Sequence, residues 1–495
     1  MKPISDLDIR RRVERDNPWW QTDAKPIPEW QFPKRAYFPS FARLALNERI
    51  KRAAVLLGPR RVGKTVMIKQ LIRQAIDTGW DPKSILFVSV DTPIYAGIRL
   101  EQFLHYLDEI GDRALVIFDE IQYLKQWEVH LKDLVDSYPT VKFVVSGSAA
   151  AALRLKSNES GAGRFSEFML PPLTFQEFLQ FVGREPELIR YVRGGTQPYQ
   201  ATNINDLNAA FVDYLNYGGY PEAVLNPDIR ENPDQFVRND IIDKVLLKDL
   251  PALYGINDIQ ELNRLFSFLA YNAGNEANLE GIASESGLTK PTIKRYIEYL
   301  ESAFLIIKVS LVDQSCRSMQ RERSFKIYLN NPSMRAALFG SVSMEEDALI
   351  GMLAESAIFS QWQHSRNFRN LRYARWKDGE VDIVYLNHAR QKPLWAVEVK
   401  WSDRIERDKS VLKSLNALIA SNQTIKQARI TSKTITNEFK SDQITIRVTP
   451  TALYSYIAGK NASTKSNEDF DRAISADEDF GQLELEFLNL TSEMR

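Results

Sequence analysis

Gly58-Pro59-Arg60-Arg61-Val62-Gly63-Lys64-Thr65 follows the apolar run 53–57 and leads into a helix-like run from Val66 to Ile76. Strand, glycine-rich loop and helix in that order make a P-loop. Successive backbone N–H groups and the helix N-terminus can cradle phosphate oxygens, so Gly58 through Val66 are the candidate nucleotide-binding residues. Lys64 would reach the β and γ phosphates, and the Thr65 hydroxyl would ligand Mg2+. ATP with Mg2+ is the expected cofactor pair.

Chemistry downstream of the loop needs a metal-holding carboxylate and a base for the attacking water. Asp119-Glu120 closes the apolar run 114–118 and supplies both, Asp119 for the metal and Glu120 as catalytic base. The run 141–145 delivers Ser146-Gly147-Ser148 to the same sheet edge. Either Ser146 or Ser148 could sense the γ-phosphate; alternatively Gly147 permits a turn and the serines cap the next helix. Arg164, after Gly161-Ala162-Gly163, is a candidate finger in cis or in trans, with a surface ion pair as the plainer reading.

A second constellation lies in the C-terminal third. Strands are expected near 371–375, 380–386 and 394–400, then a helix near 410–420 and strands near 427–430 and 444–448. Alternation puts Glu398 and Lys400 on one face, and a paired neighbouring strand brings Asp382 against them. Two carboxylates, Asp382 and Glu398, would then hold Mg2+ while Lys400 orients the water, giving phosphodiester hydrolysis. An acidic-x-Lys triplet is common: Asp23-Ala24-Lys25, Asp81-Pro82-Lys83 and Glu438-Phe439-Lys440 also occur. Glu398-Val399-Lys400 differs in lying on the apolar strand 394–401, where charges demand a reason. A charge pair at a sheet end is the alternative. Arg366, Arg369, Arg372, Arg375 and Lys377, interleaved with Phe368, Tyr373 and Trp376, precede Asp382. They read as a nucleic-acid groove with stacking aromatics, or as a solvated basic face.

These residues must be positioned by larger elements. Apolar β-rich runs at 85–90, 114–118 and 141–145 alternate with helix-like segments, the pattern of a parallel sheet covered by helices, so the fold class is α/β. The expected domains are a Pro/Trp-rich arm wrapping extended over 1–35, a P-loop core over 36–172, a helical lid over 173–254, a winged helix-turn-helix over 255–345, a nuclease-like α/β domain over 346–458 and a loosely attached acidic tail over 459–495. The lid opens with the capping-box spacing Thr174 to Glu177. In the winged helix, Thr289 caps the recognition helix, and Lys290, Lys294 and Arg295 face DNA, though Glu298 and Glu301 weaken that face. Packing next to the ATPase is the other role for such a module.

Composition sets outer bounds. The chain has 495 residues, with Lys plus Arg equal to Asp plus Glu at 64 each, so it is no polycation that coats nucleic acid indiscriminately. One cysteine, Cys316, excludes an intrachain disulfide framework, and four histidines show no zinc-site spacing. No apolar run spans a bilayer, so a cytoplasmic protein without membrane contact is expected.

The P-loop, Asp119-Glu120, Ser146-Gly147-Ser148, the helix-turn-helix pattern and the Asp382/Glu398-Lys400 set together resemble the prokaryotic predicted AAA-type ATPases that carry a C-terminal domain of unknown function. That domain is similar to the PD-(D/E)xK restriction-endonuclease-like superfamily. The resemblance adds Glu355 to Asp382, Glu398 and Lys400 as its fourth position. It implies an ATPase whose nucleotide state controls a nuclease-like module on DNA. Two other readings stand beside it: an ATP-dependent switch with a silent nuclease-like domain, and a remodeller of a protein partner. A homo-oligomer is compatible with each.

Overall fold

The computed structural model describes residues 5–21, 26–107, 113–148, 163–193, 198–256, 258–317, 324–387, 391–441 and 444–475, without side chains at 366–367 and 465–475. Asp23-Ala24-Lys25, Gly161, Ala162 and the tail beyond Ser475 lie outside the described residues. The chain divides into two compact units, one built on the residues up to Pro171 and the other running from Pro172 to Lys465.

In the first unit, β1 (Ala53–Leu57), β2 (Ile85–Ser89), β3 (Ala114–Asp119), β4 (Val141–Gly147) and β5 (Phe165–Met169) form an all-parallel sheet in the order β2-β3-β4-β1-β5. Strands covered on both faces read as continuous apolar runs, and every residue of β1, β3 and β4 is buried. Parallel strands put all their C-terminal ends on one edge. Gly58, Glu120 and the Ser146 end of β4 therefore meet there.

The N-terminal arm is not simply extended. A helix, Asp6–Asp16, begins at a Ser5 capping box, and single turns cover Pro18–Trp20 and Pro28–Trp30. The arm covers the outer strand β2, whose backbone would otherwise be an open edge. Fully buried Asn17 accepts from Phe87 N at 2.6 Å and donates to Phe87 O at 2.9 Å, as a neighbouring strand would. The Trp19 and Trp20 indoles both donate to Ile85 O.

In the second unit, β6 (Ile189–Tyr191) and β7 (Tyr199–Ala201) form a small ribbon. A larger sheet of nine strands is built from β8 (Glu276–Ala277), β9 (Ile306–Val312), β10 (Phe325–Leu329), β11 (Leu371–Trp376), β12 (Gly379–Leu386), β13 (Pro393–Glu398), β14 (Gln427–Ser432), β15 (Asn437–Lys440) and β16 (Thr445–Pro450). Its order is β15-β16-β14-β13-β12-β11-β9-β10-β8. The strands expected in 346–458 are all present, joined by the short β15, but 255–345, which contributes β8, β9 and β10, reads from the sequence as a separate domain. Parallel pairing of β9 with β11, Tyr373 opposite Leu311, instead makes one continuous sheet.

Helices Ile259–Tyr271, Leu279–Ser286 and Lys290–Ser302 precede β9, with Gly287 at φ +73° making the turn and Thr289 capping the third. β10 pairs antiparallel with both β9 and β8.

Two expectations change here. The helices of 173–254 include members of the second unit's own core: Phe211 stacks on Trp401 at 5.8 Å, and Phe175 N donates to Gln361 Oε1 at 2.8 Å. The expected tail boundary at 459 falls inside the helix Thr451–Ser475. A Cβ on Gly459 would lie 2.9 Å from Thr174 Cβ, so glycine permits this helix to dock closely. Among the described residues no helix is long and apolar enough to cross a membrane.

Candidate functional site

The loop after β1 owes its shape to two left-handed residues, Arg61 at φ +63° and Gly63 at φ +91°, just before the helix Lys64–Asp77. Its first residue is confined. A Cβ on Gly58 would sit 2.1 Å from Leu170 O, a carbonyl fixed by the bond from Leu170 N to Leu57 O at 2.7 Å. Arg35, 4% exposed, clamps the loop by donating to Val62 O at 2.7 Å and Pro171 O at 2.9 Å.

Lys64 is buried and folds back on the loop, with Nζ 3.0 Å from Gly58 O and 2.7 Å from Pro59 O. The Thr65 hydroxyl donates to Asp119 Oδ2 at 2.8 Å, so the two groups expected at Mg2+ already touch. That adjacency fits a divalent ion. Ser146 Oγ donates to Asp119 Oδ1 and accepts from Glu120 N at 3.1 Å. Burial, followed by the nearby Glu120, raises the Asp119 carboxyl above its ordinary pKa, while the Ser146 and Thr65 bonds oppose the shift.

Glu120 is held at φ +56°, an uncommon conformation for a residue with a side chain. Its carboxylate accepts from the Gln122 amide, and Gln122 Oε1 accepts from Ser148 N at 3.2 Å. The two serines differ: Ser146 joins Asp119 to Glu120, whereas Ser148 Oγ is buried without a hydrogen-bond partner among the described residues. Gln122 and Arg35 are absent from the sequence reading. Only Gln122, two residues beyond the acidic pair, had a local signal.

Arg164 does not join this group. It precedes β5 and its carbonyl accepts from Ala53 N, at the start of β1, whereas Gly58 follows the end of β1. Five strand residues, about 17 Å, separate those ends. Arg164 instead pairs with Asp136, both half-exposed. A finger acting in cis is therefore replaced by a surface ion pair.

In the second unit, Ile383 stands opposite Val397 in the antiparallel β12/β13 pair, which places Asp382 beside Glu398. The helix Asp347–Gln361 supplies Glu355. Lys400 Nζ lies 2.7 Å from Glu398 Oε1 and 3.4 Å from Asp382 Oδ2, and Val399 N donates to Asp382 Oδ2 at 2.8 Å. All four expected residues thus share one cluster. Asp382 and Glu398 are buried, and among the described residues Glu398 Oε2 has no hydrogen-bond partner. An orphaned buried carboxylate oxygen beside a second carboxylate fits a cation. Among the described residues no three Asp, Glu, His or Cys converge to cage an ion. Mg2+ commonly takes one or two carboxylates and fills its remaining positions with water and substrate oxygens.

Three further members come from elsewhere. Lys326 on β10 is 2.6 Å from Glu380 Oε1, 3.3 Å from Glu355 Oε2 and 3.7 Å from Asp382 Oδ1. Tyr328 donates to Glu355 Oε2 at 2.8 Å. Burial and then Asp382 push Glu355 up to about 7 and Glu398 up to about 8, each against the pull of a lysine. Burial would lower Lys326 and Lys400, but the surrounding carboxylates hold both ammoniums above their ordinary pKa. Lys326 was legible in principle: it is a charge on the wholly buried strand Phe325–Leu329.

The expected basic groove is largely spent internally. Arg375 lies 3.4 Å from Glu276 and 3.6 Å from Glu380, and Arg372 donates to Arg369 O and Leu371 O. Arg369 and Lys377 are exposed, while the Arg366 side chain lies outside the described residues. Tyr373 is fully buried and Phe368 and Trp376 pack against the core, so these aromatics do not form a stacking platform. Lys294 and Arg295 are exposed on their helix, and Lys290 pairs with Glu280 at 2.6 Å.

Residues 50–179 match a family model described as an AAA domain, and residues 208–345 match one described as a domain of unknown function, DUF8612. The first match and the parallel sheet make this segment an AAA-type P-loop domain. An uncharacterized protein of Haemophilus influenzae is 25% identical over 273 residues, 52% of this chain and 62% of its own length. The uncharacterized protein MJ1637 of Methanocaldococcus jannaschii is 23% identical over 390 residues, covering 75% of this chain and 80% of that protein. Among solved structures, a Thermotoga maritima RuvB variant matches with a TM-score of 0.28 and 17% identity, over 56% of this chain and 90% of that one. AMPPCP-bound DnaA from Aquifex aeolicus matches with a TM-score of 0.26 and 12% identity, over 54% of this chain and 87% of that one. Neither score amounts to a shared overall architecture.

Proposed function

We propose that the AAA-type domain binds and hydrolyses ATP with Mg2+, and that its nucleotide state controls a winged-helix and PD-(D/E)xK-like module that cleaves DNA. The nucleotide half rests on Lys64, Thr65, Asp119, Glu120 and Ser146 at one sheet edge. Gly58 to Val66 would bind the triphosphate, Lys64 would leave its two carbonyls for phosphate oxygens, and Glu120 would take the proton of the attacking water. Bound Mg2+ would offset phosphate charge at Thr65 and Asp119, and at Asp382 and Glu398 it would acidify a water.

One observation carries the nuclease-like half: Asp382 and Glu398 share Lys400, Glu355 and Asp382 share Lys326, and Glu398 Oε2 is buried without a hydrogen-bond partner among the described residues. Lys400 would orient the water or a phosphate oxygen. The three helices followed by an antiparallel β8-β10-β9 ribbon support the winged-helix reading, with Lys294 and Arg295 as exposed DNA contacts. A homo-oligomer is the arrangement that would let Arg164 act in trans.

Asp382→Ala tests the cleavage. The wild type is expected to cut single-stranded, duplex or branched DNA with Mg2+ or Mn2+, and the variant to lose that cutting by at least a hundredfold. If no substrate shows Asp382-dependent cleavage, the second reading replaces the first: an ATP-controlled switch that binds DNA or a protein partner with a silent C-terminal site. The observation favouring that reading is the pair of lysines facing the two oxygens of Asp382.

A further inference from the structure

Lys326 lies in the interior of a sheet strand, and the nuclease-like pattern does not include it. β10 is held on both sides, Lys326 facing Val309 of β9 and Glu276 of β8 in register. The side chain is 5% exposed and lies within 3.7 Å of three separate carboxylates. Buried among these carboxylates, its charge is part of the carboxylate site. Desolvating an ammonium is costly unless acidic partners compensate, and here they surround it.

The charges can be counted. Glu355, Glu380, Asp382 and Glu398 contribute four negative charges, and Lys326 and Lys400 two positive ones, leaving minus two when all are ionised. The adjoining Arg375 and Glu276 cancel one another. One divalent cation would neutralise that fully ionised state. Lys326 occupies the Glu355/Glu380 side, while Lys400 pairs with Glu398 Oε1 and leaves Glu398 Oε2 without a hydrogen-bond partner among the described residues, as the oxygen open to the ion.

We propose that Lys326 is a built-in counter-charge standing where a second divalent ion would otherwise bind, so that the carboxylate cluster takes one divalent cation and not two. This rests on the metal-binding part of the reading above and is independent of whether DNA is cut. It also gives a strand of the helix-and-ribbon segment a share in the C-terminal site: Lys326 reaches Glu355, Glu380 and Asp382 from β10. In this role Lys326 is a positioning residue, since it is buried away from any substrate.

Mn2+ titration of the nucleotide-free full-length chain, read by the electron paramagnetic resonance of free Mn2+, tests the stoichiometry. Sites are counted as those lost on Asp382→Ala. The wild type is expected to show one such ion, Lys326→Met two, and Lys326→Arg one. The double variant Lys326→Met/Glu380→Gln restores the net charge and should return to one; it also supplies the comparison if the single Met variant does not fold. Two ions in the wild type, or one in Lys326→Met, would overturn the role of Lys326 while leaving the metal site standing. No Asp382-dependent Mn2+ in any of these proteins would overturn the metal site and the inference together.

Discussion

Glu120→Ala is expected to lower ATP turnover by about a hundredfold to ten-thousandfold, the contribution of a positioned general base, while ATP binding persists. The residue sits at the tip of β3 with φ +56°, its backbone N–H anchored on Ser146 and its carboxylate held by Gln122. Removing the carboxylate leaves Lys64 and Thr65 untouched, so affinity has no reason to collapse. Steady-state phosphate release beside equilibrium binding of a fluorescent ATP analogue separates the two effects. Turnover equal to wild type would take the base role away from Glu120.

Gly58→Ala should damage the same site by a different physical route. The added Cβ meets Leu170 O at 2.1 Å, and the carbonyl cannot easily retreat because Leu170 is bonded to Leu57 and the following Pro171 O is clamped by Arg35. The loop itself must move. A loss of about 1–3 kcal/mol in stability is expected from such overpacking. Displaced N–H groups should also weaken ATP binding at least tenfold. Thermal unfolding with and without ATP reads both, because a ligand raises the melting temperature only as far as it binds the folded state. A variant that melts like wild type and gains the same ATP-induced shift would show that the loop tolerates the contact.

Both candidate sites were legible where residues stand against local preference. The P-loop is written in contiguous residues, and Asp119-Glu120 closes an apolar run. Asp382 and Glu398 stand out as charges among the buried residues of β12 and β13. Lys326 obeys the same rule within Phe325–Leu329, yet its partner Asp382 is distant in sequence, and the parallel β9/β11 pairing that joins their strands into one sheet leaves no local trace. Arg372 and Arg375 show the converse. Their spacing suggests a basic groove, but adjacent carbonyls take up Arg372 and the carboxylates of Glu276 and Glu380 take up Arg375.

Helical periodicity identified amphipathic segments in 173–254 without naming what they cover. Phe175 and Phe211 pack against residues around Gln361 and Trp401, so the apolar face belongs to the second unit. Composition misled at the tail for a related reason. Gly459 and Ser463 look loosely polar in sequence, but small side chains are what permit a closely docked helix.

Coupling between the two chemistries is the central claim. It is tested most directly by the initial rate of Asp382-dependent DNA cleavage without nucleotide, with ATP, and with a non-hydrolysable ATP analogue. The account predicts that ATP changes the rate and that Glu120→Ala with ATP reproduces the rate seen with the analogue. The same cleavage rate under all three conditions, from a chain shown to bind ATP, would contradict nucleotide control.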